Sequence, residues 1–92
     1  MTPTAKTIAQ IIEGQIGCDP VTEANLADPE FLESLGVDNL HHIELLMLIE
    51  EEFGIEIKDN EAEPFRPNHL GTTRPLTELI ALVEAKIAKV TA

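Results

Sequence analysis

The feature that most constrains this chain is the run from Leu40 to Phe53, which contains neither glycine nor proline. Preceded by Asp38 and followed by Gly54, it reads as one helix with a side-chain N-cap and a glycine stop. Leu45, Ile49 and Phe53 recur at i, i+4 and i+8, and Leu46 widens the line. That stripe is expected to face a core.

Two more stripes share the period. Ile8, Ile11, Ile12 and Ile16 predict a helix over about Thr4 to Ile16, with Thr4 or Thr2 as cap and Gly17 as its end. Leu76, Leu79, Ile80, Val83, Ile87 and Val90 predict a last helix that starts near Pro75, where a missing N–H costs little. Lys86 and Lys89 lie in its last turns, which suits the helix dipole.

Between the first two helices, Cys18 to Val37 reads as a long ordered loop, punctuated by Pro20 and Pro29 and closed by Gly36. Its apolar Val21, Leu26, Phe31, Leu32 and Leu35 are expected to pack on the bundle. A short helical turn over Pro29 to Leu35 would take Asp28 as N-cap. The stretch Ile55 to Arg74 is the least regular; a short helix over Asp59 to Glu63 is expected to stop before Pro64 and Pro67, and Gly71, Thr72 and Thr73 lead into the last helix. Strand alternation is hard to find, since Ile55 and Ile57 around Glu56 are too few. The expected architecture is all-α: a small, irregular four-helix bundle with a long first loop, built as a single domain over residues 1–92.

Composition narrows the partners. There are 17 acidic residues against 6 basic ones, a formal net charge of -11. Nucleic acid is not an expected partner, because phosphate binding needs a basic face; anionic membrane surfaces are disfavoured for the same reason. Proteins with basic patches are favoured. Apolar runs such as Leu45 to Ile49 are too short to cross a bilayer. Met1 to Thr7 lack the apolar stretch of a secretory signal. Cys18, the single cysteine, allows no intrachain disulfide. These features predict a cytoplasmic protein, and Cys18 is read as a packed loop residue.

The stretch Leu35-Gly36-Val37-Asp38-Asn39-Leu40, followed by the helix that ends in Glu50-Glu51-Glu52-Phe53, resembles the centre of an acyl carrier protein. That family's pattern is roughly L-G-x-D-S-L and then a helix closing on E-E-x-F. The flanks agree: Ile11-Ile12-Glu13-Gly14-Gln15-Ile16-Gly17 resembles the end of the family's first helix, Phe31-Leu32-Glu33-Ser34 the approach to the attachment site, and Ile55-Glu56-Ile57 with the following acids the third-helix region. The likeness covers about Ile8 to Glu63, and the last helix fits by position. It implies a bundle of acyl-carrier type and no enzymatic activity.

Two departures matter. Asn39 stands where the family's serine receives 4′-phosphopantetheine. That step needs a hydroxyl at the helix start to attack the pyrophosphate of coenzyme A, and an amide is a poor nucleophile. The chain's one serine, Ser34, lies upstream without the preceding Asp. Second, the segment between Lys58 and Pro75, with Pro64, Arg66, Pro67, Asn68, His69 and Gly71, is longer than is usual in the family. It reads as an enlarged surface loop before the last helix.

The resemblance assigns the cofactor position to Asn39 with Asp38 and Leu40, unmodified here, so no cofactor is expected on this sequence. Asn39 is read as capping its helix. A partner-docking face falls to Leu40, Ile43, Glu44, Met47, Glu50 and Glu51, with enzymes of acyl metabolism bearing basic patches as partners and a monomer as the working form. His41 and His42 are read as exposed titrating groups. His41 and Glu44 supply only two donors, and Asp59, Glu61 and Glu63 lack the spacing of a calcium loop, so no metal site is expected. No phosphate loop or catalytic triad appears.

Three readings follow. The leading one is a carrier-like module that docks on partner enzymes without a phosphopantetheine arm. The second is a competent acyl carrier whose attachment serine has become Asn39. The third is a helical interaction protein unrelated to acyl transfer. By the same resemblance, carriers sequester acyl chains between the Leu40–Phe53 helix and the last helix, so a collapsed interior there favours docking alone.

Overall fold

The apolar stripes become helices where the sequence places them. In a computed structural model that describes residues 1–66 and 73–91, with side chains up to Lys89, the elements are α1 (Pro3–Ile16), α2 (Glu23–Ala27), α3 (Phe31–Ser34), α4 (Asn39–Phe53), α5 (Asp59–Ala62), a 3-10 turn (Glu63–Phe65) and α6 (Leu76–Thr91). All regular structure among the described residues is helical. None of these helices is long and apolar enough to cross a membrane.

α1 packs on both α4 and α6, while α2 packs on α6. Ile8 and Ile12 of α1, Ile49 of α4 and Leu79 and Val83 of α6 are fully buried. Val21, Leu26, Phe31, Leu32 and Val37 join the same core from the first loop and its short helices. Phe53, expected in the core, is half-buried and packs against its edge. Ile87 does the same, and the side chain of Val90 lies outside the described residues.

The two long helices that precede loops end alike. Gly17 and Gly54 adopt φ of 74° and 63°, the left-handed conformation that glycine enters without a Cβ penalty. Their N–H groups donate to the carbonyls of Glu13 and Glu50. The same two glutamates then use their side chains to catch the chain as it returns: Glu13 Oε2 accepts Val21 N at 3.1 Å, and Glu50 Oε2 accepts Ile57 N at 2.9 Å. Each places a buried aliphatic residue, Val21 or Ile57, against the bundle.

The first loop is more structured than its sequence predicts. Cys18 to Val37 holds two short helices rather than one turn. α2 arises from a reciprocal cap, in which Thr22 Oγ1 accepts Asn25 N and Asn25 Oδ1 accepts Thr22 N. Five residues are too few to show a helical period. Asp28, expected to cap the following turn, instead terminates α2; its carboxylate accepts Glu30 N at 2.9 Å, and α3 begins only at Phe31.

α5 ends at Ala62, before Pro64 as expected, and the chain continues through Pro64 as a 3-10 turn. Pro64 sits inside that turn, at a position where its missing N–H is tolerated. The flanks of the enlarged loop meet: Arg74 N donates to Pro64 O at 2.7 Å and Thr73 Oγ1 to Arg66 O at 2.9 Å. Pro67, Asn68, His69, Gly71 and Thr72 lie outside the described residues.

Two substitutions on α4 test the division between its faces. Ile49→Ala is expected to lower unfolding free energy by about 2–5 kcal/mol, and Leu40→Ala to change it by less than about 0.5 kcal/mol, both read from urea denaturation at neutral pH.

Candidate functional site

The candidate site begins where the first loop enters α4. Val37 is buried, and its N–H donates to Leu32 O at 3.1 Å, which anchors the approach. Asp38 follows in extended conformation as the N-cap, its Oδ1 accepting His41 N at 2.9 Å. The His41 ring adds a second contact, Nδ1 standing 2.9 Å from the same oxygen. The His41 backbone N–H, with the ring's help, pulls the Asp38 carboxyl below its ordinary range.

Asp38, not Asn39, therefore caps α4. Asn39 is the first residue of the helix proper, and its side chain is exposed. Capping falls to Asp38 because its side chain reaches a free N–H of the first turn while its own backbone is still extended. Ser34 closes α3, where its Oγ donates to Phe31 O at 2.6 Å. Its hydroxyl is engaged by its own short helix and does not share the start of α4.

Leu40, Ile43 and Met47 follow Asn39 along one stripe of α4, exposed by 64%, 47% and 54%. Leu48, another large apolar residue missed at the sequence level, is partly exposed beside them. It borders a groove of about 330 Å³ between α1 and α4, with Ile11, Gly14 and Glu51 among its walls. The proposed acidic members of the docking set differ in their freedom. Glu51 is exposed. Glu44 is half-buried and accepts Gln15 Nε2 at 2.7 Å, linking α4 to α1. Glu50 is half-buried and engaged with Ile57 N.

His41 and Glu44 are thus committed to different partners, Asp38 and Gln15. Cys18 packs against the core from the rim of a surface pocket shared with Asn25 and Phe31. Glu61 pairs with Lys86 of α6 at 2.9 Å, and this pairing draws its carboxyl below the ordinary value.

A second expectation that fails is His42. It is buried rather than exposed. Its position was legible: it lies three, four and seven residues before Leu45, Leu46 and Ile49, the core residues of α4. The two adjacent histidines fall on different faces, one buried and one exposed, because successive helical residues are about 100° apart.

The packed interior around His42 leaves a void of about 10 Å³ between α1, α3, α4 and α6. That is room for one water molecule at most.

Over 63 residues the chain is 41% identical to the acyl carrier protein of Zymomonas mobilis subsp. mobilis, a match covering 68% of this chain and 78% of that one. Over 59 residues it is 44% identical to the acyl carrier protein of Solidesulfovibrio magneticus, covering 64% of this chain and 73% of the other. No family model matches.

The engagement of Glu50 has a measurable consequence. Glu50→Ala is expected to cost about 1 kcal/mol by stranding the Ile57 N–H, whereas Glu51→Ala leaves the unfolding midpoint unchanged. Equal effects on the midpoint would show that the Glu50–Ile57 bond does not hold the turn.

Proposed function

This chain belongs to the acyl carrier protein family, and from that premise we propose that it serves acyl metabolism as a docking module without a 4′-phosphopantetheine arm. Carriers of this family are not enzymes, and neither is this protein. It works as a single-domain monomer in the cytoplasm, recognised by enzymes of acyl metabolism through basic patches on their surfaces.

The observation that carries the reading is the outward stripe of Leu40, Ile43 and Met47 directly beside the exposed Asn39. Three large apolar side chains held in water on one helix face form the kind of patch that partners cover. Met47 is adaptable enough to fit more than one surface. Glu51 sits on the same stripe, with Glu44 and Glu50 along its margins. These carboxylates steer a basic partner toward the apolar centre. Glu44 and Glu50 act as fixed negative charges, since their intramolecular bonds hold them in place.

Asn39 supplies the other half. Its amide is a poor nucleophile toward the pyrophosphate of coenzyme A, and the Ser34 hydroxyl is tied to Phe31. The near-filled interior supports docking over chain storage, since about 10 Å³ holds no acyl chain without expansion.

A second reading, a competent carrier changed at one position, draws support from the surroundings of Asn39. The Asp38 cap is formed, and the side chain at position 39 is open to solvent, so a serine there would be accessible to a modifying enzyme. The two readings part in one experiment. Incubated with coenzyme A and a broad-specificity phosphopantetheinyl transferase, the native chain is expected to keep its intact mass; a gain of one phosphopantetheine would overturn the first reading. Asn39→Ser gaining that mass supports the second, and a folded Asn39→Ser that stays unmodified removes it. Docking is tested separately with Met47→Ala combined with Glu51→Lys. The pair is expected to weaken binding to a carrier-dependent enzyme by at least about fivefold with unchanged circular dichroism.

A further inference from the structure

Gly14 lies within α1 without either of the usual reasons for a glycine. Its backbone is not left-handed, since the positive-φ glycines among the described residues are Gly17, Gly36 and Gly54. Packing does not exclude a side chain either, because a Cβ at Gly14 would meet no atom within 4 Å. Glycine inside a helix destabilises it relative to alanine, and no contact among the described residues offsets that cost here.

What the missing side chain leaves open is a groove. Gly14 forms part of the wall of the space of about 330 Å³ between α1 and α4. Ile11, three residues earlier on α1, and Leu48 of α4 supply its apolar surface. Ile11 is partly buried against the core, and Leu48 is 37% exposed. Gln15 borders the same space, and its Nε2 donates to Glu44 Oε2 at 2.7 Å. That bond ties α1 to α4, so the two walls are held at a fixed separation.

The rest of the wall on the α4 side is negative. Glu51 and Glu52 line the groove, and among the described residues no lysine or arginine does. Both are exposed, and neither carboxylate is paired with another described residue. Glu44, Glu50 and Glu61, by contrast, already have partners within the chain. A group that covers Glu51 and Glu52 must replace the water it removes, and a cation with N–H donors does so best. A fatty-acid carboxylate would be repelled, and so would a second copy of a chain with a net charge of -11.

We infer that the α1–α4 groove is a second docking site, which takes an apolar side chain flanked by lysine or arginine from a basic protein surface. The inference deepens the docking reading above and rests on it for the class of partner. Ile11 and Leu48 hold the apolar side chain, and Glu51 and Glu52 pair with the cations beside it. Gly14 lets the partner approach the α1 backbone, which any larger residue would hold off. The groove continues the outward stripe: Leu48 follows Met47 in the chain, and Glu51 stands one turn beyond it. A partner seated on Leu40, Ile43 and Met47 thus reaches the groove without leaving α4.

A titration of the full chain with a synthetic amphipathic helix of leucine and lysine, followed by amide NMR shifts at neutral pH, tests this. Saturable shifts are expected at Ile11, Gly14, Leu48 and Glu52. Gly14→Leu, which fills the groove, is expected to weaken this binding by at least about fivefold while raising the urea midpoint of unfolding. Glu52→Lys is expected to weaken it by a similar factor. Shifts confined to Leu40, Ile43 and Met47 would overturn the groove and leave the outward stripe standing. Groove shifts undiminished in both variants would overturn it too, as would a lowered midpoint in Gly14→Leu, which would show that the fold itself demands the glycine. Failure of the docking reading would appear elsewhere, as undiminished enzyme binding by the Met47→Ala, Glu51→Lys pair.

Discussion

Ile8 and Ile12 of α1 are buried on both flanks, against α4 on one side and α6 on the other. This ridge determines how much of the remaining surface can be apolar and where it must lie. Because α1 covers one face of α4, the residues of α4 that meet it are fixed by helical geometry as His42, Leu45, Leu46 and Ile49. The opposite stripe, Leu40, Ile43 and Met47, is then outward by necessity. The outward apolar stripe is the geometric complement of the core, and no separate device is needed to aim it.

Position 39 is held by a second constraint, the way the chain enters α4. Burial of Val37 fixes the end of the first loop, and the Asp38 carboxylate closes the first turn through His41. The residue between that cap and Leu40 has little freedom to leave the helix start. The chemistry at this point is therefore set by the side chain alone, with its placement already determined by its neighbours. An amide and a hydroxyl would be presented in the same location and differ only in reactivity.

How much of this could be read from sequence depends on length and on which face a polar residue takes. α1, α4 and α6 each run for at least 14 residues, enough turns for their apolar periods to declare themselves, and the stops at Gly17 and Gly54 follow from backbone sterics. α2 was not legible, because a five-residue helix is made by the Thr22–Asn25 cap rather than by a pattern. His42 was misread through its chemistry: a histidine beside another histidine invites a solvent reading, although its spacing from Leu45, Leu46 and Ile49 marks a core position. Glu13 and Glu50 were legible as acids and not as turn-makers, since their targets, Val21 and Ile57, lie beyond each helix end. The site's identity came from an ordered motif and not from any physical period; periodicity alone would have left α4 as one more amphipathic helix.

α4 is apolar on two faces, and this is the unusual feature that joins fold to function. A helix apolar all round belongs in the interior of a larger protein, and among the described residues nothing covers the outward stripe of α4. The outward stripe then carries an aggregation liability unless something opposes self-association. The net charge of -11 does so, since like-charged copies repel while a basic surface is attracted. In the docking role proposed above, the same acidity favours a basic partner for the stripe. The inward face carries the opposite compromise: His42 places a ring nitrogen without a hydrogen-bond partner among the described residues in a core that leucine would fill with no polar atom to satisfy.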